Sequence, residues 1–165
     1  MLGRVFFMAG LLMAGLLVVV PAGAQATEPA EDGAPAPWKH LDGRNAGAVG
    51  TCSPDDDEDV TDCYLVRCEK GDLVFVMQAA NLAEFGVRKI TFEIGRYKQT
   101  IKLPAVKNEE QAISLAKEQK LLAALTSRSD WASLSTAGAR LEYSTGFDLT
   151  GAATLISQLR GICRK

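Results

Sequence analysis

The apolar positions of this chain change period several times, and each change marks a new segment. First comes an apolar run from Val5 to Val20, behind the single base Arg4 and ahead of Pro21. Two small-x-small frames follow, Ala22-Gly23-Ala24 and Ala24-Gln25-Ala26. A short basic start, an apolar stretch and small residues at a cleavage point describe a secretory signal peptide. Residues 1–24 are therefore expected to be removed after Ala24, since some 16 apolar residues fall short of the roughly 20 that span a bilayer. Residues 25–37, "QATEPAEDGAPAP", have no apolar period and read as a flexible Ala/Pro-rich leader. A single globular domain is expected over 38–165, beginning at Trp38.

Within that domain, "GRNAGAVG" over 43–50 reads as a loop, and alternation begins after Cys63. Tyr64–Cys68 and Leu73–Gln78 are β-branched, apolar runs around Lys70, Gly71 and Asp72, which predicts a hairpin. A second hairpin is centred on Gly95-Arg96, a Gly-X pair suited to a type II′ turn. Counting outward pairs Ile94 with Tyr97, Phe92 with Gln99 and Ile90 with Ile101 on an apolar face. Glu93 with Lys98, Thr91 with Thr100 and Lys89 with Lys102 fall on a polar one. After Pro104 the spacing of Ile113, Leu115, Leu122 and Leu125, behind Asn108 as an N-cap, predicts a helix from about Glu109 to Leu125. Short strands broken by Gly138 and Gly146 are expected next. A last helix capped by Thr150 should carry Leu155, Ile156, Leu159, Ile162 and Cys163 on the side that packs. The expected fold is α+β: an antiparallel sheet or sandwich with a mid-chain helix and a C-terminal helix packed on the sheet.

Charge changes this picture little. Removing Arg4 leaves 17 Lys and Arg (18 less one) against 20 Asp and Glu, a balance that offers nothing to nucleic acid. The four cysteines matter more, because an even number in a secreted chain reads as disulfides. Of three pairings, Cys52 with Cys63 and Cys68 with Cys163 is expected, the second closing a loop of about a hundred residues. The spacings x10, x4 and x94 hold no CxxC pair and His40 is the only histidine, so no metal and no cofactor are expected.

Two charged stretches are the candidate contact sites. Asp55, Asp56, Asp57, Glu58 and Asp59, followed by Asp62, lie between Cys52 and Cys63. They fail as an EF-hand, because the required glycine and bidentate glutamate fall at Val60 and Val66. Such a run is ordinarily a solvated loop; its functional reading is a disulfide-closed lure for a basic partner. Arg88, Lys89, Arg96, Lys98, Lys102 and Lys107 form the opposite patch, with Glu93 against it and Lys89 and Lys102 side by side. Lysine on strands ordinarily blocks edge pairing, and the functional reading is an anionic partner. Catalysis has little to draw on. No nucleophile turn accompanies His40, and Glu142 with Asp148 is a bare pair of carboxylates.

The C-terminal segment from Lys120 to Cys163 resembles the closing part of small secreted proteins of the invasion-associated locus B type, on a leucine-rich segment followed by Phe147, Leu149, Gly151, Leu155 and Leu159. A similar ending, with a terminal cysteine placed like Cys163, occurs in periplasmic accessory proteins of type VI secretion. The likeness covers about a quarter to a third of the chain and departs from the invasion-associated pattern at the acidic run and in lacking paired mid-chain cysteines. It implies a β-rich secreted fold without a known catalytic site. The expected function is a non-enzymatic periplasmic or secreted binding protein of the bacterial envelope, host-directed if the likeness holds, with another protein as partner and no membrane segment after cleavage. The rival readings are an inhibitor of a basic enzyme such as a lysozyme, and a hydrolase.

Overall fold

A computed structural model of the protein describes residues 36–54, 61–78, 87–136 and 144–163. The expected signal peptide, the leader up to residue 35, the acidic run Asp55–Asp59, Gly138 and Glu142 lie outside the described residues. The strands are β1 (Lys39–His40), β2 (Val49–Pro54), β3 (Thr61–Glu69), β4 (Asp72–Gln78), β5 (Lys89–Ile94), β6 (Tyr97–Lys102), β7 (Gln111–Ser114), β8 (Trp131–Thr136) and β9 (Ser144–Asp148). The helices are α1 (Gln119–Leu125) and α2 (Ala152–Cys163). The strands form two sheets, one of five in the order β1-β2-β3-β4-β7 and one of four in the order β6-β5-β8-β9. All pairings are antiparallel. The fold is α+β, a sandwich-like pair of sheets with two helices.

Both predicted hairpins form. Lys70 and Gly71 take φ of 52° and 87°, so the two-residue turn between β3 and β4 has both central residues at positive φ, as a type I′ turn requires. Gly95 takes φ 56° in the second turn, and the β5–β6 register matches the one counted from the sequence, from Ile94↔Tyr97 out to Lys89↔Lys102.

Four expectations are corrected. The helix from about Glu109 to Leu125 is shortened to Gln119–Leu125, and the four residues Gln111–Ser114 of its first half are β7. Gln111, Ile113 and Leu115 are buried in alternation, which a strand satisfies and a helix does not. Asn108 and Glu109, where an N-cap was expected, take φ of 52° and 64° and turn the chain into that strand instead. The loop over 43–50 holds a 3-10 turn at Gly43–Asn45, and its last two residues already belong to β2. Gly146 lies inside β9 rather than breaking it. Ile162 is 66% exposed, because α2 buries Ala152, Ile156, Leu159 and Cys163 and turns Ile162 outward.

One core joins the two sheets. Tyr64, Val66, Phe75 and Met77 from the five-stranded sheet pack with Ile90, Phe92, Leu134 and Phe147 from the four-stranded one. At its centre the Phe147 ring stacks on Tyr64 with centroids 4.5 Å apart, lies 6.0 Å from Phe75 and 6.5 Å from Trp38. Phe75 meets Phe92 edge-on at 5.7 Å. Helix α2 packs across β1 to β4 and α1 supplies Leu121, Leu122, Ala124 and Leu125 to the same core. Trp38 is tied to the entry of α2 by its backbone N–H, which donates to the Thr150 carbonyl at 3.0 Å.

Two disulfides close the fold. Cys52 and Cys63 are direct cross-strand neighbours on β2 and β3, with Cα atoms 4.1 Å apart. Cys68 on β3 is bonded to Cys163 at the end of α2, with Cα atoms 5.5 Å apart. They are consistent with an oxidising compartment, and no helix among the described residues is long and apolar enough to cross a membrane.

Phe147→Ala removes the ring that both sheets touch and should cost about 3–5 kcal/mol in urea unfolding. The disulfides close separations of 95 and 11 residues, so in the chain-entropy model they contribute about 4.7 and about 2.8 kcal/mol. Replacing Cys68 and Cys163 together by Ser should therefore lower the urea midpoint further than replacing Cys52 and Cys63; equal losses would mean that the sheets already hold the longer loop closed.

Candidate functional site

Each sheet has an inner face in the core and an outer face, and the two outer faces are treated differently. On the five-stranded sheet, Cys63 and Leu65 of β3, Val74 and Val76 of β4 and Ala112 of β7 point outward, as the period of two demands. They are nonetheless buried or nearly so, packed with Leu41, Ala48 and Cys52. The β2–β3 pairing is tight beside them: Gly50 of β2 stands opposite Leu65, and a Cβ there would lie 2.6 Å from the Leu65 Cβ and 2.4 Å from the Tyr64 carbonyl oxygen.

A polar network closes the rest of that face. Arg67 of β3 donates to both carboxylate oxygens of Glu110 at 3.2 and 2.7 Å, and its Nε donates to Glu69 at 2.7 Å. Gln78 Nε2 donates to Glu110 at 2.7 Å and to Asn45 Oδ1 at 2.8 Å, while Asn45 Nδ2 donates back to Gln78 Oε1 at 3.0 Å. Burial works against the charge on Glu110, but hydrogen bonds from Arg67 and Gln78, with the charges of Arg67 and Arg44, outweigh it and hold the carboxyl below its ordinary range. The Glu110 bond also raises the Arg67 pKa, against the opposing effect of its own burial. These groups are spent on one another, which makes the network a seal over Val74 and Val76 rather than a site. None of its members stood out in the sequence. The available signal was Arg67 itself, a cation two residues after Leu65 on a face otherwise apolar.

The outer face of the four-stranded sheet carries mostly polar side chains among the described residues. One row across it reads Thr100, Thr91, Ser135, Ser144, and the next reads Lys98, Glu93, Ser133, Gly146. Thr91 and Thr100 share a hydrogen bond of 2.8 Å between their hydroxyls. Lys98 and Glu93 form an exposed ion pair of 2.5 Å, of the kind that contributes little. At one end Lys89 and Lys102 stand directly opposite each other, both exposed, and among the described residues neither belongs to an ion pair. At the other end Trp131, opposite Asp148, is 48% exposed. Its indole covers Gly146: a Cβ there would fall 2.3, 2.6 and 2.9 Å from Cζ2, Cε2 and Nε1.

Of the basic residues singled out in the sequence, Lys89, Lys98 and Lys102 share this face. Arg88 stands just before β5 and Arg96 in the β5–β6 turn, both exposed. A groove of about 390 Å³ runs beside Lys102, lined by Ile101, Leu103, Pro104, Ile113 and Lys117. Asp62 sits apart, on β3 opposite Ser53. His40 is exposed on β1, and Asp148 accepts a hydrogen bond from the Thr150 backbone N–H. Among the described residues no three His, Cys, Asp or Glu side chains are grouped to hold a metal ion. Trp131 was missed because Gly146 reads as a strand breaker until the β8–β9 register, which sets Trp131 diagonally across from it, is known. Compared with known proteins, the chain matches no protein-family model, and no curated protein or solved structure matches it significantly.

Because the folded state holds Glu110 ionised below its ordinary pKa of 4.5, the network's contribution is complete above that value and is lost as pH falls through the lowered one. Glu110→Gln should cost about 1–3 kcal/mol at neutral pH. In acid-titrated urea melts that difference should shrink as the wild-type carboxyl protonates; a gap that stays constant into strong acid would show that the carboxylate charge is not what Arg67 needs.

Proposed function

We propose that the protein is a non-enzymatic binding protein of the bacterial envelope, working in the periplasm or outside the cell, and that it meets an anionic partner through the outer face of the four-stranded sheet. The observation that carries this reading is the opposed pair Lys89 and Lys102. Like charges directly across a ladder are unfavourable. Guarding an edge accounts for Lys102, since β6 is an edge strand. Lys89 stands one position beyond the Ile90↔Thr136 pair where the described β5–β8 ladder begins, and guarding the β6 edge does not by itself explain why a second lysine is set directly opposite Lys102. A local positive potential held against the sheet's own preference is what a bound anion relieves.

The secretory pattern of the N-terminus and the two disulfides favour the compartment. The invasion-associated likeness of the last third adds a host-directed role to the same reading. A protein of this kind needs no catalytic group, only a rigid surface of the right charge.

Association with a bacterial envelope preparation, measured at low and high salt, separates this reading from its rivals. Lys89→Glu with Lys102→Glu should abolish retention, and salt should weaken it in the unaltered protein. Loss instead on neutralising Asp55–Asp59 with Asn and Gln would favour an inhibitor that lures a basic enzyme. Turnover of a substrate panel that disappears in His40→Ala would replace binding by hydrolysis.

A further inference from the structure

We infer that the outer face of the four-stranded sheet binds an acidic polysaccharide, with a sugar ring resting on Trp131 and carboxylate or sulfate groups held by Lys89 and Lys102. This rests on the reading of that face as the contact surface and names the class of its partner.

Three features select a glycan among anions. The first is Trp131, an indole left 48% exposed while the other tryptophan, Trp38, is 5% exposed. It rests on a glycine that leaves it room, so the ring is placed by the backbone beneath it and offers its remaining surface to solvent. An aromatic surface supported in this way suits the C–H face of a sugar, which is apolar on one side and ringed by hydroxyls. The second is what shares the face with it: Ser133, Ser135, Ser144 and Thr100, the last backed by the buried Thr91, carry hydroxyls that can both donate and accept, as sugar hydroxyls do. The third is length. Lys89 is four residues from Glu93, whose partner Ser133 is two residues from Trp131, so the two ends lie six strand steps or about 20 Å apart. That separation suits an extended chain of several sugars and exceeds a single small anion.

The same face is poorly made for an acidic protein. A protein interface has an apolar centre within a polar rim. Among the described residues the large apolar side chains left exposed are Trp131 and Ile162, and Ile162 is on α2, away from this sheet. One indole among hydroxyls is too little apolar surface for such a centre, and enough for one sugar ring. The lysines then supply selectivity, since a neutral glycan would leave them opposed.

The test titrates the purified protein with polygalacturonate, neutral dextran and polyglutamate by calorimetry, and follows acrylamide quenching of tryptophan emission. Polygalacturonate should bind more tightly than dextran and should shield Trp131 from acrylamide, a clean readout because Trp38 is buried. Trp131→Ala should weaken polygalacturonate at least about tenfold, the scale of a tryptophan hot spot. Trp131→Phe keeps a ring over Gly146 and should retain most of the affinity, which separates stacking from a folding defect. Lys89→Gln with Lys102→Gln should erase the preference for polygalacturonate over dextran and flatten the salt dependence. Polyglutamate bound as well as polygalacturonate, with both indifferent to Trp131→Ala, would overturn the glycan inference and leave the basic contact face standing. Binding of neither acidic polymer, with envelope association unchanged by Lys89→Glu and Lys102→Glu, would overturn both.

Discussion

The stacking of Phe147 on Tyr64 is the contact on which the rest of this fold turns. Phe147 comes from β9, an edge strand of the four-stranded sheet, whereas Tyr64 and Phe75 come from β3 and β4, inner strands of the five-stranded one. One ring therefore fixes how the sheets meet and which way β9 faces. Because side chains alternate, a Phe147 turned inward forces Gly146 and Asp148 outward. Its cross-strand partner Ala132 is likewise inward and fully buried, which sends Trp131 and Ser133 out. The exposed indole and the hydroxyl rows are thus consequences of core packing. A slip of one residue in β9 would bury Gly146 and Asp148 and expose Phe147, an exchange the core strongly opposes.

The two outer faces show what the chain does when it wants a face closed and when it leaves one partly exposed. On the five-stranded sheet the 41–50 segment and the cross-strand disulfide press against apolar side chains, and Arg67, Glu110, Gln78 and Asn45 satisfy one another over the remainder. Removing one member leaves a partly buried partner without its bond, which is why such networks are kept whole. On the four-stranded sheet most of the polar groups are at least partly exposed, and among the described residues of that outer face the Thr91–Thr100 bond and the exposed Glu93–Lys98 pair join them. Polar surface of the first kind is structural, and of the second kind is available.

Sequence alone revealed most of what is local. The β5–β6 register followed from one turn glycine and alternation over six residues on each side, and the β3–β4 hairpin followed in the same way. The segment 109–125 was misread because Leu115, Leu122 and Leu125 also fit a helical stripe, while buried Gln111 hid the period of two. Its amide donates to the Val87 and Pro104 carbonyls, partners distant enough in sequence that no local rule exposes them. The basic patch was visible as residues but not as a site. Where Lys89 and Lys102 stand in the sheet depends on strand order, and that order brings β8 beside β5 from Ile90 onward, across almost forty residues. Trp131 and Gly146 were both visible, but their meeting depends on the same long-range order.

That dependence also bears on how well the outer face of the four-stranded sheet is suited to binding. Its groups stand on regular strands rather than on loops, so their spacing is set before any partner arrives and little backbone freedom is lost on association. The indole is placed against the backbone, since it occupies the space above Gly146 that a Cβ there would fill. The exposed lysine side chains at the other end have rotamer freedom that an anion would restrict, at a cost in side-chain entropy. A surface with a fixed aromatic at one end and adaptable charges at the other holds a repeating chain in register at one sugar while tolerating variation in where its acidic groups fall. Fixed charges and a mobile ring would do the reverse; here the packing that begins at Phe147 turns Gly146 and Trp131 to the outer face, where the indole lies over the glycine.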